Sequence, residues 1–94
     1  GCIVCMDDFL CGCVLNAMQT RQVAVPEQVQ VVSFYDSTVL KNRIPAVTSV
    51  RFDVEELGRK ACGLLLRMLD GEETQGRTLL GYEVRMREST KISP

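Results

Sequence analysis

The chain has no histidine and no tryptophan, and only 5% of its residues are aromatic. Histidine is the commonest general base and the commonest metal ligand. Without it, Ser-His-Asp and Cys-His nucleophilic catalysis cannot be built from these residues. Excess charge of one sign is also missing. Eleven lysines and arginines stand against twelve aspartates and glutamates, a net charge of −1. Residues 1–47 carry three basic and four acidic side chains, and residues 48–94 carry eight of each. Neither half has the basic excess that neutralising phosphates requires, so these residues alone make a poor nucleic-acid binder. No apolar run approaches the roughly 18 residues of a membrane span. The longest candidate, around Gly63 to Leu66, is interrupted by Arg59, Lys60 and Arg67. A membrane partner is not expected, nor is a secretion signal, since no basic stretch leads into an apolar one. The absence of an initiator methionine leads us to expect a chain that starts partway into a longer one.

What is present is ordinary for a globular protein. Ninety-four residues, 46% hydrophobic and 24% charged, make one small domain rather than two conventional ones. Cysteine is the unusual component. There are five, four of them within the first thirteen residues: Cys2, Cys5, Cys11 and Cys13. An odd count between apolar flanks argues against a secreted disulfide scaffold. A redox pair at Cys2 and Cys5 would need a helix start just after the first thiol. Ile3 and Val4 favour a strand instead, in which the two thiols point to opposite faces. A zinc knuckle meets the same objection. The expectation is therefore inert, buried thiols in a reducing cytoplasm, with no metal and no cofactor.

Periodicity suggests the element order. Residues 2–5 read as a buried parallel strand. A helix follows, capped by Asp8, with Phe9, Leu10, Cys13, Val14, Ala17 and Met18 on its apolar side, fading near Arg21 and Gln22. Pro26 marks a loop before a second strand, Val29 to Phe34. A short helix is expected around Thr38 to Asn42, then an extended stretch from Val47 to Phe52. Asp53 and Glu56 form a capping box for a long helix whose Val54, Leu57, Ala61, Leu64, Leu65 and Met68 repeat at helical spacing. Gly71 is its left-handed end. Thr78 to Leu80 and Tyr82 to Met86 read as two final strands. The order gives an α/β fold with a mostly parallel sheet.

Ligands of open α/β sheets bind beyond the carboxyl ends of the strands. Two polar clusters belong there: Asp7-Asp8 after the first strand and Tyr35-Asp36 after the second. Unpaired carboxylates suit hydrogen bonds from neighbouring hydroxyls, as on a sugar, and Tyr35 adds a flat face. The competing reading makes Asp8 and Asp36 helix caps and leaves Asp7 merely solvated. Nothing else looks like a reaction centre, so an enzyme is not expected.

Several segments, in order, carry a resemblance. Ile3-Val-Cys-Met-Asp7-Asp8 and Val25-Pro-Glu-Gln-Val-Gln-Val-Val-Ser-Phe-Tyr35-Asp36 resemble the C-terminal part of lactose/galactose-repressor family regulators. Pro45-Ala-Val-Thr-Ser-Val-Arg51 resembles that family's Pro-x-Leu-Thr-Thr-Val stretch. Leu57-Gly-Arg-Lys-Ala61 resembles its Leu-Gly-x-x-Ala helix, and Arg87-Glu-Ser-Thr90 resembles its closing Arg-Glu-Ser-Thr. The resemblance implies part of a two-lobed periplasmic-binding-protein-like effector domain, with a small-molecule effector, a carbohydrate among the candidates, held between the lobes. It implies that residues 1–46 and 79–94 belong to the C-terminal lobe, 52–78 to the N-terminal lobe, and 47–51 to a hinge crossing. By position it makes Asp7 and Tyr35 ligand-binding residues, and the sheet-edge reading adds Asp36 to them. Tyr35 stands where the family usually has an aspartate, and Cys13, Gln22 and Ser33 stand where it has glycines. It implies a cytoplasmic, homodimeric parent that meets DNA only through an N-terminal helix-turn-helix outside these residues. The alternative is a solute-binding protein of a transport system with the same fold. The cysteines speak against that alternative, since such proteins work in an oxidising compartment.

Overall fold

A computed structural model describes residues 1–74 and 76–91. The chain divides into two compact units: Gly1–Arg51 with the chain from Glu83 onward, and Phe52–Tyr82.

The first unit is a four-stranded sheet with helices. Its elements are β1 (Cys2–Cys5), α1 (Asp8–Thr20), β2 (Gln30–Ser33), α2 (Thr38–Lys41), β3 (Thr48–Arg51) and β4 (Glu83–Arg85), closed by a 3₁₀ turn at Glu88–Thr90. The sheet order is β1-β2-β3-β4. β1 pairs with β2 in parallel, Cys5 opposite Ser33, and β2 with β3 in parallel, Ser33 opposite Ser49. β4 runs antiparallel to β3, with Val50 opposite Val84. The expected α/β class with a mostly parallel sheet is therefore what forms. The core is small: Cys5, Cys11, Leu15, Met18, Val31, Leu40 and Val47, with Val14, Val23, Val25 and Val29 packed around them.

Three details differ from the sequence reading. β1 is an edge strand, so of its residues only Cys5 is buried. In α1 the buried residues are Cys11, Leu15 and Met18, whereas Phe9 is 76% exposed and Cys13 is also outside. This helix is apolar on two sides, and periodicity alone could not say which side meets the sheet. Thr78 to Leu80 form no strand. β-propensity expresses itself only against a neighbouring strand.

The end of α1 shows how the backbone absorbs an awkward residue. Val23 N–H donates to Met18 C=O at 2.9 Å and Gln22 N–H to Gln19 C=O at 3.1 Å. That is the double bond pattern of a Schellman cap. It puts Gln22 in the left-handed region, at φ 59°. An L side chain there costs about 1–2 kcal/mol, which is partly offset in a glycine by its freer unfolded state. Gln22→Gly is expected to stabilise the full-length chain by about 0.5–1 kcal/mol in urea unfolding. A loss of stability would mean that the Gln22 side chain contributes a contact of its own.

The second unit is built on α3 (Val54–Leu69). Asp53 caps it, its carboxylate accepting from Glu56 N–H at 3.0 Å. Glu56 does not complete the capping box: its carboxylate lies 3.3 Å from Lys60 Nζ, one turn on. Gly71, at φ 82°, closes the helix with the same Schellman pattern, Glu72 N–H to Arg67 C=O and Gly71 N–H to Met68 C=O. The apolar stripe is where the spacing places it, yet no residue of α3 is buried among the described residues. Val54, Leu57, Leu65 and Met68 are all about half exposed.

Candidate functional site

Because β1, β2 and β3 are parallel and in register, their carboxyl ends share one edge of the sheet. Phe34 N–H donates to Cys5 C=O at 2.9 Å, which carries the pairing one step past the strands. The chain then leaves β1 into Asp7 and β2 into Tyr35-Asp36, while β3 ends at Arg51. Parallel pairing thus brings the two polar clusters to a single edge.

Asp7, not Asp8, is the N-cap of α1. Its Oδ1 accepts from Leu10 N–H at 2.8 Å, and its backbone is extended. Asp8 sits in the first turn, where its carboxylate accepts from the neighbouring Phe9 N–H at 3.0 Å. Both anions face the positive end of the helix dipole. Asp7 is exposed, so its carboxylate can cap the helix and still meet a ligand.

Tyr35 is half-buried, and its backbone is clasped from below. The fully buried Ser33 hydroxyl accepts from Tyr35 N–H at 3.1 Å and donates to Tyr35 C=O at 2.7 Å. Asp36 is not a helix cap either. Ser37 caps α2 through Leu40 N–H, and Asp36 is instead gripped by Arg87. The guanidinium donates from Nη1 to Oδ1 at 2.7 Å and from Nη2 to Oδ2 at 3.2 Å. Nη1 also donates to Val47 C=O at 2.9 Å. The two side chains are only 15% and 12% exposed. This charge-assisted fork holds the Asp36 carboxyl below the usual carboxylate range, against a smaller opposing effect of burial. Arg51 adds its charge in the same direction.

Arg87 is itself fastened to β3. Its N–H donates to Thr48 Oγ1 at 2.8 Å, and Thr48 Oγ1 lies 2.7 Å from Thr90 Oγ1. Ser89, wholly buried, bridges two strands: its Oγ accepts from Thr48 N–H at 2.8 Å and donates to Val31 C=O at 2.6 Å. Ser89 N–H donates to Ala46 C=O at 2.9 Å. The Arg-Glu-Ser-Thr segment is therefore a polar clasp that ties the closing turn to β2 and β3 and aims Arg87 at Asp36.

The edge presents one exposed carboxylate, Asp7, beside half-buried Tyr35 and an Asp36 whose two oxygens are already held by Arg87. Carboxylates accept hydrogen bonds only, so this set suits a ligand rich in hydroxyl donors. Among the described residues no group of three or more His, Cys, Asp or Glu side chains could hold a metal ion. No helix among them is long and apolar enough to cross a membrane.

The sequence reading named Asp7, Tyr35 and Asp36 but missed Arg87, Arg51 and Ser33. A signal for Arg87 existed: Asp36 needs a counter-charge if it is to lie below the surface. The expectation of uniformly buried thiols fails. Cys2, Cys13 and Cys62 are exposed, and only Cys5 and Cys11 are buried. Cys2 lies on an edge strand and Cys13 on the outward side of α1.

Known proteins share this architecture. Residues 1–90 match the family model of the periplasmic binding protein-like domain. The HTH-type transcriptional regulator GntR of Pseudomonas aeruginosa is 37% identical over 91 residues, covering 96% of this chain and 26% of the relative. The transcription regulator CcpA of Lactococcus lactis superposes with a TM-score of 0.82 at 31% identity, covering 96% of this chain and 34% of that one. The transcriptional regulator CelR, in complex with cellobiose, superposes at 0.78 with 32% identity, covering 94% of this chain and 27% of CelR. The chain thus spans about a quarter of the length of the curated relative. With most of the chain inside one family model, and with similar transcriptional regulators covering nearly all of it, the protein belongs to the periplasmic-binding-protein-like domain family, among the lactose/galactose-repressor regulators.

Proposed function

We propose that this chain is part of the effector-sensing domain of a DNA-binding transcriptional regulator, and that the effector is a small polyhydroxylated molecule of the carbohydrate class. One observation carries the reading: parallel register sets Asp7 and Tyr35-Asp36 at one sheet edge, in a domain whose relatives are transcriptional regulators. CelR, of the same fold, holds cellobiose. In this reading Asp7 and Asp36 accept hydrogen bonds from ligand hydroxyls, and Tyr35 stacks on a ring face. Residues 1–46 and 79–94 are assigned to the C-terminal lobe, 52–78 to the N-terminal lobe, and 47–51 to the hinge crossing. Effector binding acts by shifting a pre-existing equilibrium between states of the parent that differ in operator affinity. The parent meets DNA through a helix-turn-helix outside these residues, and it works in the cytoplasm without a cofactor. A transport role is the weaker reading, because exposed Cys2, Cys13 and Cys62 suit a reducing compartment.

The test is calorimetric titration of the full-length chain with a panel of mono- and disaccharides. Asp7→Ala is expected to weaken the bound sugar at least about tenfold, the loss of one charge-assisted hydrogen bond. Asp7→Asn keeps the helix cap and should keep most of the affinity. Unchanged binding by Asp7→Ala, or no saccharide binding by the parent, would remove this assignment. A catalyst that used Asp7 would instead turn sugar over and lose that turnover in Asp7→Asn.

The outward side of α1 supports a homodimer. Phe9 at 76% and Leu10 at 48% exposure, with Val39 of α2, leave apolar surface for a second copy. Light scattering of the full-length chain should give twice the chain mass, and Phe9→Asp should lower it towards one. A monomer at micromolar concentration would sink this part of the reading.

A further inference from the structure

The β3 end of the site edge carries a positive charge that a neutral sugar leaves unmatched. Cys5 lies opposite Ser33, and Ser33 opposite Ser49. Two residues further along the three chain paths stand Asp7, Tyr35 and Arg51, so these form one row across the edge. Neighbouring strands lie about 4.8 Å apart, and the row therefore runs about 10 Å from Asp7 to Arg51. It is polarised. Asp7 and Asp8 follow β1, whereas β3 ends at Arg51, which is exposed. Arg51 has no ion-pair partner within 4.0 Å among the described residues. Its neighbour across the sheet is Glu83, whose carboxylate lies 2.9 Å from Arg85 instead. Asp36 is already held through both oxygens by Arg87.

We propose that Arg51 is a specificity-determining residue for the effector, and that the effector is an anionic sugar, with its hydroxyls at Asp7 and its carboxylate or phosphate at the Arg51 guanidinium. This rests on the effector reading above and adds the charge of the ligand to it.

Charge balance favours an anion at this end. Arg51 and Arg87 share a single nearby carboxylate, Asp36, whose ionised form both of them favour. One positive charge is left over beside β3, while two carboxylates stand beside β1. A guanidinium offers paired N–H donors in one plane, which match two oxygens of a carboxylate or phosphate at once. A sugar hydroxyl offers it a single oxygen. An anionic group turned the other way would meet the like charge of Asp7 and Asp8. The polarity of the row therefore sets the ligand's direction, hydroxyls towards β1 and anion towards β3, with Tyr35 between them. Exposure suits Arg51 to this task. Water solvates its charge in the empty domain, so no unpaired charge is buried until a ligand arrives.

The experiment is calorimetric titration of the full-length chain with matched pairs: glucuronate against glucose, galacturonate against galactose, and phosphorylated glucose against glucose. In at least one pair the anionic member is expected to bind at least about tenfold more tightly, the gain of one charge-assisted contact. The carboxylate and phosphate pairs show which anion the site takes. Added salt should narrow the preference. Arg51→Gln should bring the anionic member down to the affinity of its neutral counterpart. Arg51→Lys keeps the charge without the fork and should retain part of the preference. Arg51 is exposed, so both variants should keep the urea midpoint of the wild type. A neutral sugar that binds as tightly as its anionic counterpart overturns the proposal and leaves the effector reading standing. An anion preference that survives Arg51→Gln also overturns it. Binding by no member of any pair removes both.

Discussion

Ser89→Ala is expected to cost the full-length chain about 2–4 kcal/mol, although it removes a single oxygen atom. The Ser89 hydroxyl is wholly buried and serves two backbone groups on different strands, Thr48 N–H and Val31 C=O. Alanine leaves both without a partner, and a buried unsatisfied polar group costs about 1–3 kcal/mol. The methyl that remains is too short to fill the space but does not clash. The measurement is the urea midpoint of the full-length chain, with an unchanged slope showing that native compactness is kept. Ser89→Thr keeps the hydroxyl and should recover part of the loss if the added methyl is accommodated. A cost below about 0.5 kcal/mol for Ser89→Ala would show that water replaces the hydroxyl and that the clasp is not a stability element.

That clasp marks the boundary of what the sequence made legible. The helices announced themselves through local chemistry. Asp53 followed by an amphipathic repeat and Gly71 defines α3 almost to the residue, because caps and periodicity act over a few positions. Ser37, Asp7 and Asp8 were harder, since adjacent capping residues compete and only the backbone angle decides which one caps. The parallel order of β1 and β2 could be read, and with it the meeting of Asp7 with Tyr35-Asp36 at one edge. The Arg-Glu-Ser-Thr segment could not. Its side-chain bonds reach Thr48, Asp36 and Val31, 41 to 58 positions away, and no local pattern encodes them. Resemblance flags the segment, and only the folded structure explains it. The exposed side of α1 failed for a different reason. Its apolar residues follow the same rule as a core face, and periodicity cannot tell an apolar side that meets the sheet from one that does not. For the same reason, α3 has a clear stripe and no buried residue.

The second large effect concerns Asp36 and Arg87. Asp36→Asn is expected to destabilise the full-length chain by about 2–3 kcal/mol, since the guanidinium is left with a neutral amide in a site only 15% open to water. Arg87→Gln should cost at least as much, because it also frees Val47 C=O and strands the carboxylate. The double variant should cost clearly less than the sum, with a coupling of about 1–2 kcal/mol. The pH dependence follows from the direction of the shift. The folded carboxyl titrates below its unfolded value. The pair therefore contributes fully above the ordinary carboxylate range and loses its contribution as pH falls through the depressed value. The gap between wild type and Asp36→Asn should thus be constant from about pH 6 to 8 and close below about pH 4. Additive single costs, or a gap independent of acid pH, would mean that the fork is a packing contact rather than a charge pair. Ligand affinity distinguishes a further role. Arg87 touches Asp36 and not the exposed Asp7, so a role at the site edge would be one of positioning. If the fork aims the Tyr35-Asp36 turn, Arg87→Lys weakens saccharide binding more than it lowers stability, since a point charge keeps the attraction and loses the two-pronged geometry. Equal loss in both readouts would assign Arg87 to the fold alone.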